Sequence, residues 1–220
     1  MLVLVIDTSS AAVIAALAEV GDDAVELRAQ RSTVNAKAHG ELLAPSIADC
    51  LDEAGVAPRD LGAIVAGLGP GPFTGLRVGL VTAAAMADAL GVPSYGVCSL
   101  DGIAASAQDE GELIVATDAR RKEVYWARYD AAGERVSGPN VNRPADVPID
   151  GVAGVAGAGA RLYRAEWGIN LVDVDYPSAV SLVGLAADRI RRGAPSEQLV
   201  PLYLRRPDAV PPGAAKTVTQ

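Results

Sequence analysis

The sequence predicts an α/β fold built on a parallel sheet, and three observations predict it. Residues 63–67, AIVAG, are a short apolar run that passes into a loop holding Gly69, Gly71 and Gly75. That loop opens a helix over 74–90, which Gly91 closes before Pro93 and a second strand start at 94–97. Strand, loop, helix and strand in this order are the unit from which parallel sheets are made. The second observation is the continuous apolar run 2–6, LVLVI, which suits a central strand covered on both faces. The third is a repeat. A strand, an Asp-bearing turn and a returning strand occur at the start of the chain and again at 113–129, the pattern of a divergent duplication.

Taken in order, 2–6 is followed by the polar turn Asp7-Thr8-Ser9-Ser10. Strands at 11–19 and 24–29 follow, joined at Gly21-Asp22-Asp23. A helix over 37–55 carries the stripe Leu43, Ile47 and Leu51, with Pro45 in its first turn or kinking it and Gly55 as its cap. His39 stands at its start, where a capping or loop hydrogen bond is the simple use of the ring. After 63–100 a short helix runs to 108, and Asp109-Glu110-Gly111-Glu112 is a polar hinge. Strands at 113–117 and 123–129 flank the charged turn 118–122, which has no glycine. Residues 138–148 are loop-rich, with Pro139, Pro144 and Pro148. A small-residue strand at 151–159, a short helix at 160–167 and a helix at 178–192 capped by Ser178 or Ser181 come next. Residues 200–204 are extended. Proline and small residues from 205 to 220 read as a disordered tail.

Composition excludes several function classes. Of 220 residues, 50% are apolar, enough for a packed core. No apolar run reaches membrane-span length without interruption, and the first ten residues read as a strand rather than a secretory leader. Cys50 and Cys98 lie in apolar settings without a CxxC pattern, as buried thiols of a reducing cytoplasm do. A single histidine makes a His-rich metal site impossible. The formal net charge of −8 argues against holding RNA unaided, because RNA is gripped chiefly through Lys and Arg on phosphates.

Two features carry chemistry. The glycine loop ahead of the helix at 74–90 is either an anion cradle or a rigid turn that positions the helix. No G-x-x-x-x-G-K-[ST] or G-x-G-x-x-G is present. On that helix Gly75, Gly79, Ala83 and Ala87 recur every four residues and share one side. Small residues there admit a close neighbour, which is either the chain's own sheet or a partner's helix.

Together these stretches resemble the TsaB (YeaZ) family, a bacterial branch of the actin-like ATPase superfamily. The resemblance is carried by IDTSS at 6–10, HGELLAP at 39–45, GLGPGPFTGLRVG at 67–79, DARRKEVYWARY at 118–129 and PLYLRR at 201–206. It implies two ribonuclease H-like subdomains, 1–108 and 109–204, ahead of the tail. It implies a non-catalytic scaffold and activator of TsaD, the catalytic paralogue. With the ATPase TsaE, TsaD transfers a threonylcarbamoyl group to the adenosine beside the anticodon of ANN-decoding tRNAs. It further implies a TsaD heterodimer, a homodimer when TsaD is absent, tRNA met only through the complex, no membrane, and a cytoplasmic location. The family pairs through the first two helices. Carried over, that interface is Leu43, Ile47, Leu51, Gly75, Gly79, Ala83 and Ala87. Gly40 stands where the family more often has Ser. TsaD's metal-binding histidine pair has no match here, since His39 is alone.

Two other functions compete. An ATP-dependent phosphotransferase of the actin-like type would place ATP or ADP on Asp7, Thr8, Ser9, Gly69, Gly71 and Arg120. Against it stand the glycine-free second turn and the two prolines, Pro70 and Pro72, in the first loop. A metallopeptidase would need an H-E-x-x-H or an equivalent ligand set, which is missing.

Overall fold

The computed structural model of the chain describes residues 1–107 and 111–205. The hinge residues Asp109 and Glu110, and Arg206 with nearly all of the expected tail, lie outside the described residues. Two sheets form the frame. The first has the order β3-β2-β1-β4-β5, from β1 (Leu2–Asp7), β2 (Ala12–Val20), β3 (Val25–Val34), β4 (Ala63–Gly67) and β5 (Ser94–Val97). The second has the order β8-β7-β6-β9, from β6 (Leu113–Asp118), β7 (Val124–Tyr129), β8 (Arg135–Asn142) and β9 (Gly154–Ala156). In each, three antiparallel strands are followed by one that pairs in parallel with the central strand, β4 on β1 and β9 on β6. The duplicated plan read from the sequence is thus present in the topology.

β1 is central, and its apolar run serves both faces through the period of two. Leu4 and Ile6 join Leu43, Ile47, Leu51, Leu76 and Leu80 under α1 (His39–Ala54) and α2 (Phe73–Leu90). Val3 and Val5 join Leu182, Val183, Ala186 and Ile190 of α6 (Ala179–Arg191) on the other face. The last helix of the expected second subdomain therefore completes the core of the first sheet. The second sheet is covered by α3 (Ser99–Ala107) on one face and by α4 (Ala158–Leu162) and α5 (Arg164–Trp167) on the other.

Helix ends follow the sequence signals. Gly55 and Gly91 close α1 and α2, and Ser178 caps α6 by accepting the Ser181 N–H at 3.0 Å. Pro45 lies inside α1, beyond its first turn. One expectation changes. Residues 135–142, read partly as loop, form β8. It is an edge strand whose register shifts opposite Trp126–Tyr129, where a Gly138-Pro139 pair is tolerated. Residues 200–204 pair in no sheet. They belong to a strap over 194–205 fixed by the Glu197 N–H on Ser94 O (2.8 Å) and the Leu202 N–H on Leu68 O (2.9 Å).

The small-residue face of α2 is the main correction. Gly75, Gly79, Ala83 and Ala87 are buried within the chain, as are Leu43, Ile47 and Leu51. They cannot be the surface offered to a partner. A Cβ at Gly79 would strike the Thr8 side chain, and one at Gly75 would come within 3.1 Å of the Thr8 carbonyl. The face is small because α2 lies directly upon the turn after β1. By length and composition alone α2 could cross a bilayer, with a mean hydropathy of 1.3 over 18 residues, yet one side of it packs on this sheet. Ala83→Leu should therefore overpack the core and destabilise the fold by about 1–3 kcal/mol, read from urea unfolding. An unchanged midpoint would contradict the packing described.

Candidate functional site

The turn after β1 is a closed hydrogen-bonded unit. The Asp7 carboxylate is fully buried. Its Oδ1 accepts the Ser9 N–H at 2.8 Å and the Ser9 hydroxyl at 2.7 Å, and its Oδ2 accepts the Ser99 hydroxyl at 2.5 Å. The Thr8 hydroxyl donates to Gly75 O at 2.8 Å and accepts the Gly79 N–H at 3.0 Å. The glycine loop completes the closure. It packs so near that a Cβ at Gly71 would strike the Ser9 carbonyl, and the Gly69 N–H reaches Ser99 Oγ at 3.3 Å. Asp7, Thr8, Ser9, Gly69 and Gly71 are thus brought together as expected for a phosphate cup. The cup is filled by the chain's own backbone.

Arg120 faces this turn from the second half, across a cleft that both halves line. Arg120, Arg121 and Lys122 all have positive φ, between 56° and 63°. Such a run is uncommon without glycine and is held here by Asp118, whose Oδ1 accepts the Arg120 N–H at 2.8 Å. Arg120 Nε lies 3.8 Å from Asp118 Oδ2, with both side chains partly exposed. The second Asp-bearing turn is therefore open where the first is closed. Next to it, Thr117 is buried, and its hydroxyl finds no hydrogen-bond partner among the described residues. An unmade bond of this kind costs about 1–3 kcal/mol. Nothing in the sequence singled Thr117 out, because a threonine in a strand is ordinary.

His39 Nε2–H donates to Ser10 O at 2.7 Å and ties the start of α1 to the first turn. Cys98 is pushed up to about 11 by burial, and burial also raises Cys50, so neither thiol is a ready nucleophile. Among the described residues no three His, Cys, Asp or Glu side chains converge on a metal-sized site.

Outside the core, α1 and α2 lie against one another and leave a particular surface. Ala44, Pro45 and Ala48 on α1, and Val81, Ala84 and Ala85 on α2, are exposed. Val81 is 64% exposed, and no charged residue stands between Arg77 and Asp88. The residue pattern left the smallest stripe open to the chain's own sheet or a partner, and the family resemblance placed it at a partner interface. The outward stripe is the neighbouring one, one residue or two further round the helix.

Two α/β halves of one topology, closing on Asp-bearing turns that face each other, define the actin-like ATPase superfamily with its ribonuclease H-like subdomains. A family model described as TsaD, tRNA N6-adenosine threonylcarbamoyltransferase, matches residues 31–201. YeaZ from Pseudomonas aeruginosa superposes with a TM-score of 0.75 at 33% identity, over 92% of this chain and 99% of that one. The tRNA threonylcarbamoyladenosine biosynthesis protein TsaB of Bacillus subtilis is 35% identical over 130 residues, 59% of this chain and 55% of that protein. An uncharacterized protein of Mycobacterium leprae is 48% identical over 211 residues, which span 96% of this chain and 56% of the longer relative. The chain belongs to the TsaB (YeaZ) family.

The closed turn has a pH signature. Burial pushes the Asp7 carboxyl above the usual carboxylate range, opposed by the Ser99 hydroxyl and then the Ser9 donors. With the folded value raised, the protonated form is the one the fold favours. Its stabilisation is present at low pH and is lost as pH rises from the ordinary value through the folded one. Asp7→Asn should therefore gain on the natural protein as pH rises through that window. The check is the difference in Tm between the two proteins across mildly acidic to neutral pH, and a difference that falls would refute it.

Proposed function

We infer that this chain is a non-catalytic cytoplasmic subunit that docks on TsaD and activates threonylcarbamoyl transfer to the adenosine beside the anticodon of ANN-decoding tRNAs. TsaE is the associated ATPase. Involvement in tRNA threonylcarbamoyladenosine biosynthesis follows from the family, and the scaffold role is the finer reading. One observation carries it, the exposed small and apolar residues Ala44, Pro45 and Ala48 of α1 and Val81, Ala84 and Ala85 of α2, bordered on α1 by the exposed carboxylates of Glu41, Asp49, Asp52 and Glu53. Alanines at Ala44, Ala48, Ala84 and Ala85 let a partner's helices approach at or inside the usual separation of about 8–10 Å. Burying such a face contributes roughly 25 cal/mol per Å² of apolar surface. In the absence of TsaD, a second copy of this chain takes the same face. tRNA is met through the complex, since a net charge of −8 opposes a polyanion.

The rival phosphotransferase reading needs the Asp7 turn open to magnesium or an attacking water. Asp7 is instead saturated by Ser9 and Ser99, and Gly71 lies on the turn. The purified chain should accordingly hydrolyse ATP no faster than a blank. Turnover abolished by Asp7→Ala would restore the enzyme reading.

Val81→Glu and Ala85→Glu test the docking face directly. Both positions are exposed, so stability should stay within about 0.5 kcal/mol of the natural protein. Analytical ultracentrifugation with TsaD should show the heterodimer formed by the natural chain and lost in both variants. A variant that binds TsaD normally would remove the face from consideration.

A further inference from the structure

We propose that a second copy of this chain docks with its α2 antiparallel to α2, in a register set by Arg77 and Asp88. The proposal deepens the docking reading and rests on the outer side of α2 being a docking surface. Phe73, Arg77, Val81, Ala84 and Asp88 follow one another at intervals of three or four residues, so they share one side of the helix. All five are exposed, Phe73 at 41% and Val81 at 64%. The stripe therefore has a cation towards its N-terminal end, an apolar middle and a carboxylate in the last turn.

This order is self-complementary. In a two-fold pair, where one residue meets a second on the other copy, the second also meets the first. An axis passing midway between Thr82 and Ala83 sets Arg77 against Asp88 of the second copy and Val81 against its Ala84. The same contacts recur with the copies exchanged. The seam then has an ion pair at each end, about 16 Å apart at a rise of about 1.5 Å per residue, and a small apolar centre.

The two charges are left for this use. Among the described residues neither Arg77 nor Asp88 has an ion-pair partner. The Arg77 guanidinium is held 4.0 Å over the Phe73 ring, and its Nε–H donates to the Tyr203 hydroxyl at 3.1 Å. That leaves its terminal amino groups for a carboxylate, with the freedom of the side chain already restricted. Within one chain Asp88 is poorly placed, because the last turn of a helix carries partial negative charge and α2 has no basic residue there. An antiparallel neighbour brings both an arginine and the positive end of a helix to that position. α1 offers no such match with itself. Its exposed Glu41, Asp49, Asp52 and Glu53 stand on a helix without Lys or Arg, so α1 against α1 would set carboxylate on carboxylate.

The test is sedimentation velocity of the whole chain, without TsaD, from micromolar to submillimolar concentration at low salt, where surface charges are least screened. The natural chain should self-associate. Arg77→Glu and Asp88→Arg should each weaken the dimer at least about tenfold, because each turns both ion pairs into like-charge contacts. An equimolar mixture of the two variants should dimerise again, since one contact then pairs the two reversed charges and the other keeps the natural pair. A folding defect in either variant cannot produce that rescue. The proposal is overturned if the natural chain stays monomeric, if either variant dimerises as the natural chain does, or if the mixture associates no better than its separate components. Failure of the TsaD reading would show in the heterodimer experiment with Val81→Glu and Ala85→Glu, and failure of this one shows in the absence of TsaD.

Discussion

Everything in the first half is arranged around a buried carboxylate. Asp7 is held without solvent by Ser9 and Ser99, and three glycines press on the turn that carries it. A Cβ at Gly67 would strike Asp7, one at Gly79 would strike Thr8, and one at Gly71 would strike Ser9. A buried ionisable group is tolerated only when its bonds are complete. Ser9 and Ser99 complete them, and the close approach of the glycines fixes where α2 can lie. The small residues of α2 follow from that position, and its larger Val81 is left to the outside.

The two halves share one strand plan and differ at the Asp-bearing turn. Asp7 ends β1 in full burial, whereas Asp118 ends β6 with its side chain 38% exposed and an arginine beside it. The first turn is sealed by a glycine loop. The second has three consecutive residues of positive φ and an unsatisfied threonine next to it. Local irregularity is thus concentrated on one side of the cleft, and saturation on the other.

Much of the fold was legible because period and punctuation agree. The run 2–6, the glycine after each of the first two helices and the serine before the last each state a local preference that the tertiary structure keeps. β8 was less legible, since Gly138 and Pro139 read as a loop and only an edge position lets them stay in a strand. The residues of the first turn were legible as a group, but their role was not. Asp, Thr and Ser in a turn look alike whether their oxygens face a phosphate or a backbone N–H. Periodicity likewise revealed that α2 has a small side without revealing what lies against it. Val81 and Ala85, on another side of the helix, are surface, because a sheet can cover only one side of it.

The path of the chain has a consequence for how the molecule could be taken apart. α6 is contributed by residues 179–191, after the whole second sheet, yet its apolar side seals the lower face of the first through Val3, Val5, Ala63 and Val65. A fragment ending at residue 107 would keep α1 and α2 but present a bare strand face to water. A fragment beginning at 111 would carry a helix with nothing to cover. The two pieces would be complementary halves of one interlocked object, suited to reassembly in trans rather than to separate lives as modules.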